Sequence, residues 1–88
     1  MSDRYEIEAV SKALAVIESL EGIAFEPVTI ATIIGRTGMS RDSVYRTLHT
    51  LRLRGYVIFR NGKWSIGPRI IRFAKQIARH SEAGMIKT

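Results

Sequence analysis

Apolar positions recur along the chain with two different periods, and the change of period divides it into elements. Ile7, Val10, Leu14, Ile17 and Leu20 step by three and four, the spacing of one helix face, and predict an amphipathic first helix over 6–20. Asp3 and Glu6 have the spacing of a capping box, and Gly22 ends the helix. Glu18 and Glu21 near that end oppose the helix dipole, so the last turn is expected to be weak. A loop follows over 23–27, after which Val28 either makes a short strand or plugs the core. Thr29 is the expected N-cap of a second, short helix over 30–37, with Ile30, Ile33 and Ile34 inward. Gly38 and Met39 make a tight turn. Ser40 then caps a third helix, in which Val44, Leu48 and Leu51 form one narrow apolar stripe and which Gly55 terminates.

Past Gly55 the period falls to two. Residues 56–60 and 63–66 flank Asn61-Gly62, the preferred pair for a type I′ turn, and predict a β-hairpin. A two-residue loop pairs Arg60 with Lys63, Phe59 with Trp64 and Val57 with Ile66. Val57, Phe59, Trp64 and Ile66 then share one face, expected to pack on the helices. Gly67-Pro68 punctuates the chain, with Pro68 favourable in the first turn of a fourth helix. That helix carries Ile70, Phe73, Ala74 and Ile77 on one row and Arg72, Lys75 and Arg79 on another. Residues 81–88 lack a pattern and are expected to form a mobile tail. The fold class is mainly α with a small β-hairpin: a winged helix-turn-helix with a three-helix core, a β-wing and an extra C-terminal helix, occupying 1–80 as one domain.

Composition narrows what such a domain can do. The chain has 88 residues, 45% hydrophobic and 25% charged, as in an ordinary folded domain. There is no cysteine and only two histidines, His49 and His80, far apart, so neither a disulfide framework nor a zinc site is expected and no cofactor is implied. No apolar run approaches the roughly 20 residues of a membrane span, and a cytoplasmic, nucleoid-associated location is expected. The net charge of +6 is divided unevenly. Residues 1–34 hold two bases against six acids, a net −4, and residues 35–88 hold twelve bases against two acids, a net +10. A basic part on an acidic part suits an oriented contact with a polyanion.

The charge coincides with the exposed side of the third helix. Opposite its apolar stripe lie Asp42, Arg46, His49 and Leu53, flanked by Ser43, Tyr45 and Thr50, and a helix of this shape can enter the major groove. Arg46 is the candidate for a bidentate contact to guanine, with a phosphate contact as the competing role. Ser43 and Thr50 can bond phosphates or bases, or in the case of Ser43 merely its own backbone. Tyr45 either holds a phosphate or packs half-buried, and His49 is a groove or phosphate contact. Arg41 is a candidate phosphate clamp. Asp42 either complements the helix dipole, accepts from cytosine N4, or orients Arg46 one turn on. Arg60, Asn61 and Lys63 at the wing tip are candidates for the minor groove or flanking backbone. Arg52 and Arg54 need do no more than complement the helix end. Ile70, Phe73 and Ile77 either return to the core or form a two-fold dimer seam, which would set two recognition helices about 34 Å apart.

Three stretches resemble the DNA-binding domain of the IclR family of bacterial transcriptional regulators. They are SKALAVIESL (11–20), VTIATIIGRTGMSRDSVYRTLHTLRLRGYV (28–57) and KWSIGPRII (63–71), with Val44-Tyr45-Arg46, Leu48, Leu51, Gly55-Tyr56 and Gly67 the most specific positions. The resemblance implies a sequence-specific double-stranded-DNA-binding regulator that is not an enzyme; a homodimer is expected separately, because one module this small rarely buries enough surface for tight specific binding. There is also no glycine-rich phosphate loop or carboxylate pair to suggest catalysis. Family members usually continue into a larger effector-binding domain. Nothing of it follows Thr88, so no small-molecule effector site is expected here, and the chain reads as a stand-alone phage-type or mobile-element regulator or as an excised domain. Asp42 stands where the family commonly has a small hydroxyl residue, which leaves the base preference open. The alternative function is a winged-helix protein–protein or architectural module in a replication, packaging or recombination complex.

Overall fold

Three helices, α1 (Glu8–Glu18), α2 (Ile30–Thr37) and α3 (Arg41–Leu53), precede a hairpin of β1 (Val57–Arg60) and β2 (Lys63–Ile66) and a last helix, α4 (Pro68–Glu82). The structure is a computed structural model and describes residues 5–21 and 26–82. Its core is Val16 and Leu20 of the first segment, Ile33, then Val44, Leu48 and Leu51 of α3, closed by Val57 and Trp64 of the hairpin. Each fully buried aliphatic side chain contributes about 1.5–3 kcal/mol by leaving water. The α3 stripe predicted from periodicity is therefore the hub on which the other elements pack.

The turn chemistry explains the boundaries. The Thr29 hydroxyl accepts from the amide of Thr32 at 3.3 Å and opens α2. Gly38 closes α2 in the left-handed conformation, φ +73°, with its N–H donating to Ile34. Two residues later the Ser40 hydroxyl accepts from Ser43 at 3.1 Å and opens α3. In the hairpin the register is Val57 with Ile66, Phe59 with Trp64 and Arg60 with Lys63, as the two-residue loop requires. Asn61 and Gly62 have φ of +55° and +75°, both positive as in a type I′ turn. Trp64 also exchanges two backbone hydrogen bonds with Val28, at 2.7 and 2.8 Å, so Val28 forms an isolated bridge on the outer edge of β2.

Several expectations are corrected. Helix α1 begins at Glu8, and Ile7 sits at its N-cap without a side-chain cap. Glu6 accepts from the Ser11 hydroxyl instead of capping the helix, and Asp3 and Gly22 lie outside the described residues. The inward face of α1 is Ala13, Val16, Ile17 and Leu20, rotated from the predicted one, and Ile7, Val10 and Leu14 are 64%, 52% and 51% exposed. The chain offers two overlapping apolar rows here, and packing selects the one with the smaller residues, which lets α1 approach α3. The cation that the end of α1 lacks comes from α2: the Arg36 guanidinium donates to the carbonyls of Ser19 and Glu21. Phe59 shares the inward side of the hairpin but is 41% exposed, because the strand outruns the core. Helix α4 continues through Ser81 and Glu82, where the sequence pattern predicts a tail, and the rest of that tail lies outside the described residues.

The junction between hairpin and α4 is tight. Gly67 donates to the Tyr56 carbonyl at 2.8 Å, and Arg69 donates to the Gly55 carbonyl at 3.0 Å. A Cβ on Gly67 would stand 2.5 Å from the Gly55 oxygen and 2.8 Å from backbone atoms of Tyr56 and Val57. Only glycine fits there. Beyond this point the Phe73 ring lies 6.2 Å from that of Tyr56, and every described side chain from Ile71 to His80 is exposed.

Candidate nucleic-acid interface

Helix α3 shows three distinct faces besides the one it buries. At about 100° per residue, Asp42, Arg46 and Leu53 point furthest from the core. Ser43, Thr47 and Thr50 turn toward α1, while Arg41, Tyr45, His49 and Arg52 turn toward the hairpin. The outermost pair is an ion pair of 3.8 Å between Arg46 Nη1 and Asp42 Oδ2, with both side chains about 80% exposed (79% and 80%). Such a pair adds little stability in water. Its effect is to hold the guanidinium along the helix, with donors still free.

On the α1 side, Ser43, Arg46 and Thr50 share a groove with Lys12. The Thr50 hydroxyl donates to the Arg46 carbonyl of its own helix at 3.1 Å, which leaves its lone pairs to accept. Lys12 is paired with Glu8 at 3.4 Å. Sequence reasoning had no reason to put Lys12 beside Arg46, since only the crossing of α1 over α3 brings them together.

On the other side, a cleft of about 270 Å³ separates α3 from the hairpin. Arg41, Tyr45, His49 and Arg52 supply one wall, and Phe59 and Trp64 contribute to the other. Tyr45 is 58% exposed on the wall of this cleft. The Phe59 and Trp64 rings are 4.6 Å apart at 44°. This closeness follows from the register, because with the Trp64 backbone bonded outward to Val28, the pair facing it is the close, non-hydrogen-bonded kind. The Arg52 guanidinium lies 5.7 Å from the centre of the Phe59 ring, a cation–π distance. Arg52, expected only to complement the end of α3, instead connects helix to wing; the 3.6-residue period put it beside Tyr45, but nothing local paired it with Phe59.

Arg60, Asn61 and Lys63 stand exposed at the wing tip, with the two cations on directly opposed positions. On α4, Ile70 is half-buried at the base, and Phe73 and Ile77 are exposed further along. They line up as the predicted row, with Phe73 set against Tyr56 at the edge of the core and Ile77 further out.

The geometry matches that of known proteins. A model of the IclR helix-turn-helix domain matches residues 9–59. Among solved structures, the IclR transcriptional regulator from Alicyclobacillus acidocaldarius is 25% identical with a TM-score of 0.75, over 84% of this chain and 30% of that one. The IclR family transcriptional regulator from Brucella abortus gives 24% and 0.74, over 84% and 29%. The IclR of Thermotoga maritima gives 17% and 0.67, over 84% and 30%. The chain thus spans less than a third of the length of these proteins. No curated protein matches it.

Proposed function

The chain belongs to the IclR helix-turn-helix family, and from that membership we propose that it is a sequence-specific, double-stranded-DNA-binding transcriptional regulator without catalytic activity. The observation that carries this reading is the outermost Asp42–Arg46 pair on α3, the one face of the central helix that packs on nothing. Arg46 reads a guanine edge in the major groove, and Asp42 fixes its direction or accepts from a neighbouring cytosine. Ser43 and Thr50 bond the strand on the α1 side. Arg60, Asn61 and Lys63 meet the adjacent minor groove or its backbone. Two copies pair through the exposed row of Phe73 and Ile77 above Ile70, giving two half-sites about one turn of DNA apart. Among the described residues no helix is long and apolar enough to cross a membrane, in keeping with a cytoplasmic protein at the nucleoid.

The decisive experiment is selection of bound sites from a random duplex pool, followed by affinity measurements across salt concentrations. The expected result is an enriched, two-fold-related site whose affinity falls steeply with salt. Undetectable affinity for mixed-sequence duplex even at low salt would defeat the proposal.

A further inference from the structure

The cations of this surface are not equally available. Lys12 is paired with Glu8, and Arg46 with Asp42. Among the described residues, no carboxylate lies within ion-pair distance of Arg41 or Arg52, and no acid lines the cleft they share with Tyr45 and His49. The cleft therefore concentrates positive charge that nothing in the described part of the protein neutralises. Its four polar residues step along α3 at 41, 45, 49 and 52, about one turn or 5.4 Å each, forming a row along one edge of the helix. The opposite wall is apolar, with the Phe59 ring held against Trp64. An anionic, ribbon-like ligand with a non-polar flank fits this combination.

We infer that the cleft seats the sugar–phosphate backbone of one DNA strand, with Arg41 and Arg52 on its phosphates and Phe59 against its sugars. The inference rests on the DNA-binding reading above and follows from the shape of the duplex. The wall between a major groove and the next minor groove is one sugar–phosphate strand. A helix in the first and a hairpin tip in the second must straddle that strand, and the cleft is the space between them. Arg52 is suited to this position. Its guanidinium lies 5.7 Å from the centre of the Phe59 ring, a contact through the charge that consumes no N–H donor, and those donors can meet phosphate oxygens. The Tyr45 hydroxyl and the His49 ring supply further polar groups along the same row.

The test measures binding of a mixed-sequence duplex of about 20 base pairs as a function of salt, where each phosphate contact adds about 0.9 to the slope of log affinity against log salt. Arg52→Ala should lower the slope by about 0.9 for each protomer bound, and Arg41→Ala with Arg52→Ala by about 1.8 for each. Arg52→Lys should keep the parent slope, and Arg79→Ala, which removes the same charge from α4, should leave it unchanged. Thermal unfolding confirms that each variant is folded. On a selected site, neutralising a phosphate between the two grooves as its methylphosphonate should weaken the parent, and Arg52→Ala should be indifferent to the substitution at the phosphate that Arg52 holds. An unchanged slope in Arg52→Ala, or an equal fall in Arg79→Ala, would overturn the assignment while leaving DNA binding intact. Failure of the parent to bind at all would instead remove the reading beneath it.

Discussion

Arg46 and Asp42 restrain one another at the outermost point of α3, and that restraint matters for recognition rather than for folding. Arg46→Ala should cost about 1–3 kcal/mol on the preferred site and relax discrimination at one base pair. Competition binding against single-base variants of that site measures this, and an equal loss on every sequence would make Arg46 a phosphate contact. Thermal stability should barely move, since exposed pairs one turn apart contribute about 0.3–0.5 kcal/mol. Glycine positions show the reverse pattern. Gly67→Ala drives a Cβ into fixed backbone and should destabilise by about 1–3 kcal/mol, as overpacking does. Gly35 in α2 has open space, with nothing within 4 Å, where a Cβ would stand, and no positive φ, so Gly35→Ala should stabilise by about 0.5–1 kcal/mol. Paired melting curves of the two variants test both signs, and similar shifts would contradict the packing described at Gly67.

Among the elements, those built from local chemistry were legible in the sequence. Thr29, Gly38, Ser40 and Asn61-Gly62 each act on neighbours two to four residues away, so α2, α3 and the wing register could be read directly. The face of α1 could not, because Ile7, Val10 and Leu14 are as apolar as the row that packs, and only the contact with α3 and the Arg36 bond to the end of α1 choose between them. The cleft was half legible: Arg41, Tyr45 and His49 were evident one by one as contacts on α3 but not as one edge, whereas Arg52 over Phe59 joins residues that no periodicity relates. The wing also separates stability from binding. Arg60 and Lys63 oppose each other on the hairpin, where like charges repel by up to about 1 kcal/mol. Changing both to Ala should leave the melting temperature equal or higher. The same change should lower the salt slope of DNA binding by up to about 1.8 for each protomer bound. A lower melting temperature with unchanged slope would mean the tip serves the fold alone.

At the scale of the molecule, the acidic and basic halves of the chain fold into one body, with Arg41, Arg52, Arg60 and Lys63 on the α3 and wing side and Arg72, Lys75 and Arg79 along α4. The exposed row on α4 sets the expectation for assembly: sedimentation should give a dimer for the parent and a monomer for Phe73→Ser combined with Ile77→Ser. A parent that stays monomeric at every concentration would exclude that seam. The junction at Gly67 has a mechanical consequence. Helix α4 is about 22 Å long at about 1.5 Å per residue, and it is fastened at one end to the residues that terminate α3. It is thus a lever with its fulcrum against Gly55, where a tilt of about 10° displaces the far end by about 4 Å. The two backbone hydrogen bonds at the fulcrum, from Gly67 to Tyr56 and from Arg69 to Gly55, couple such a tilt to the end of α3.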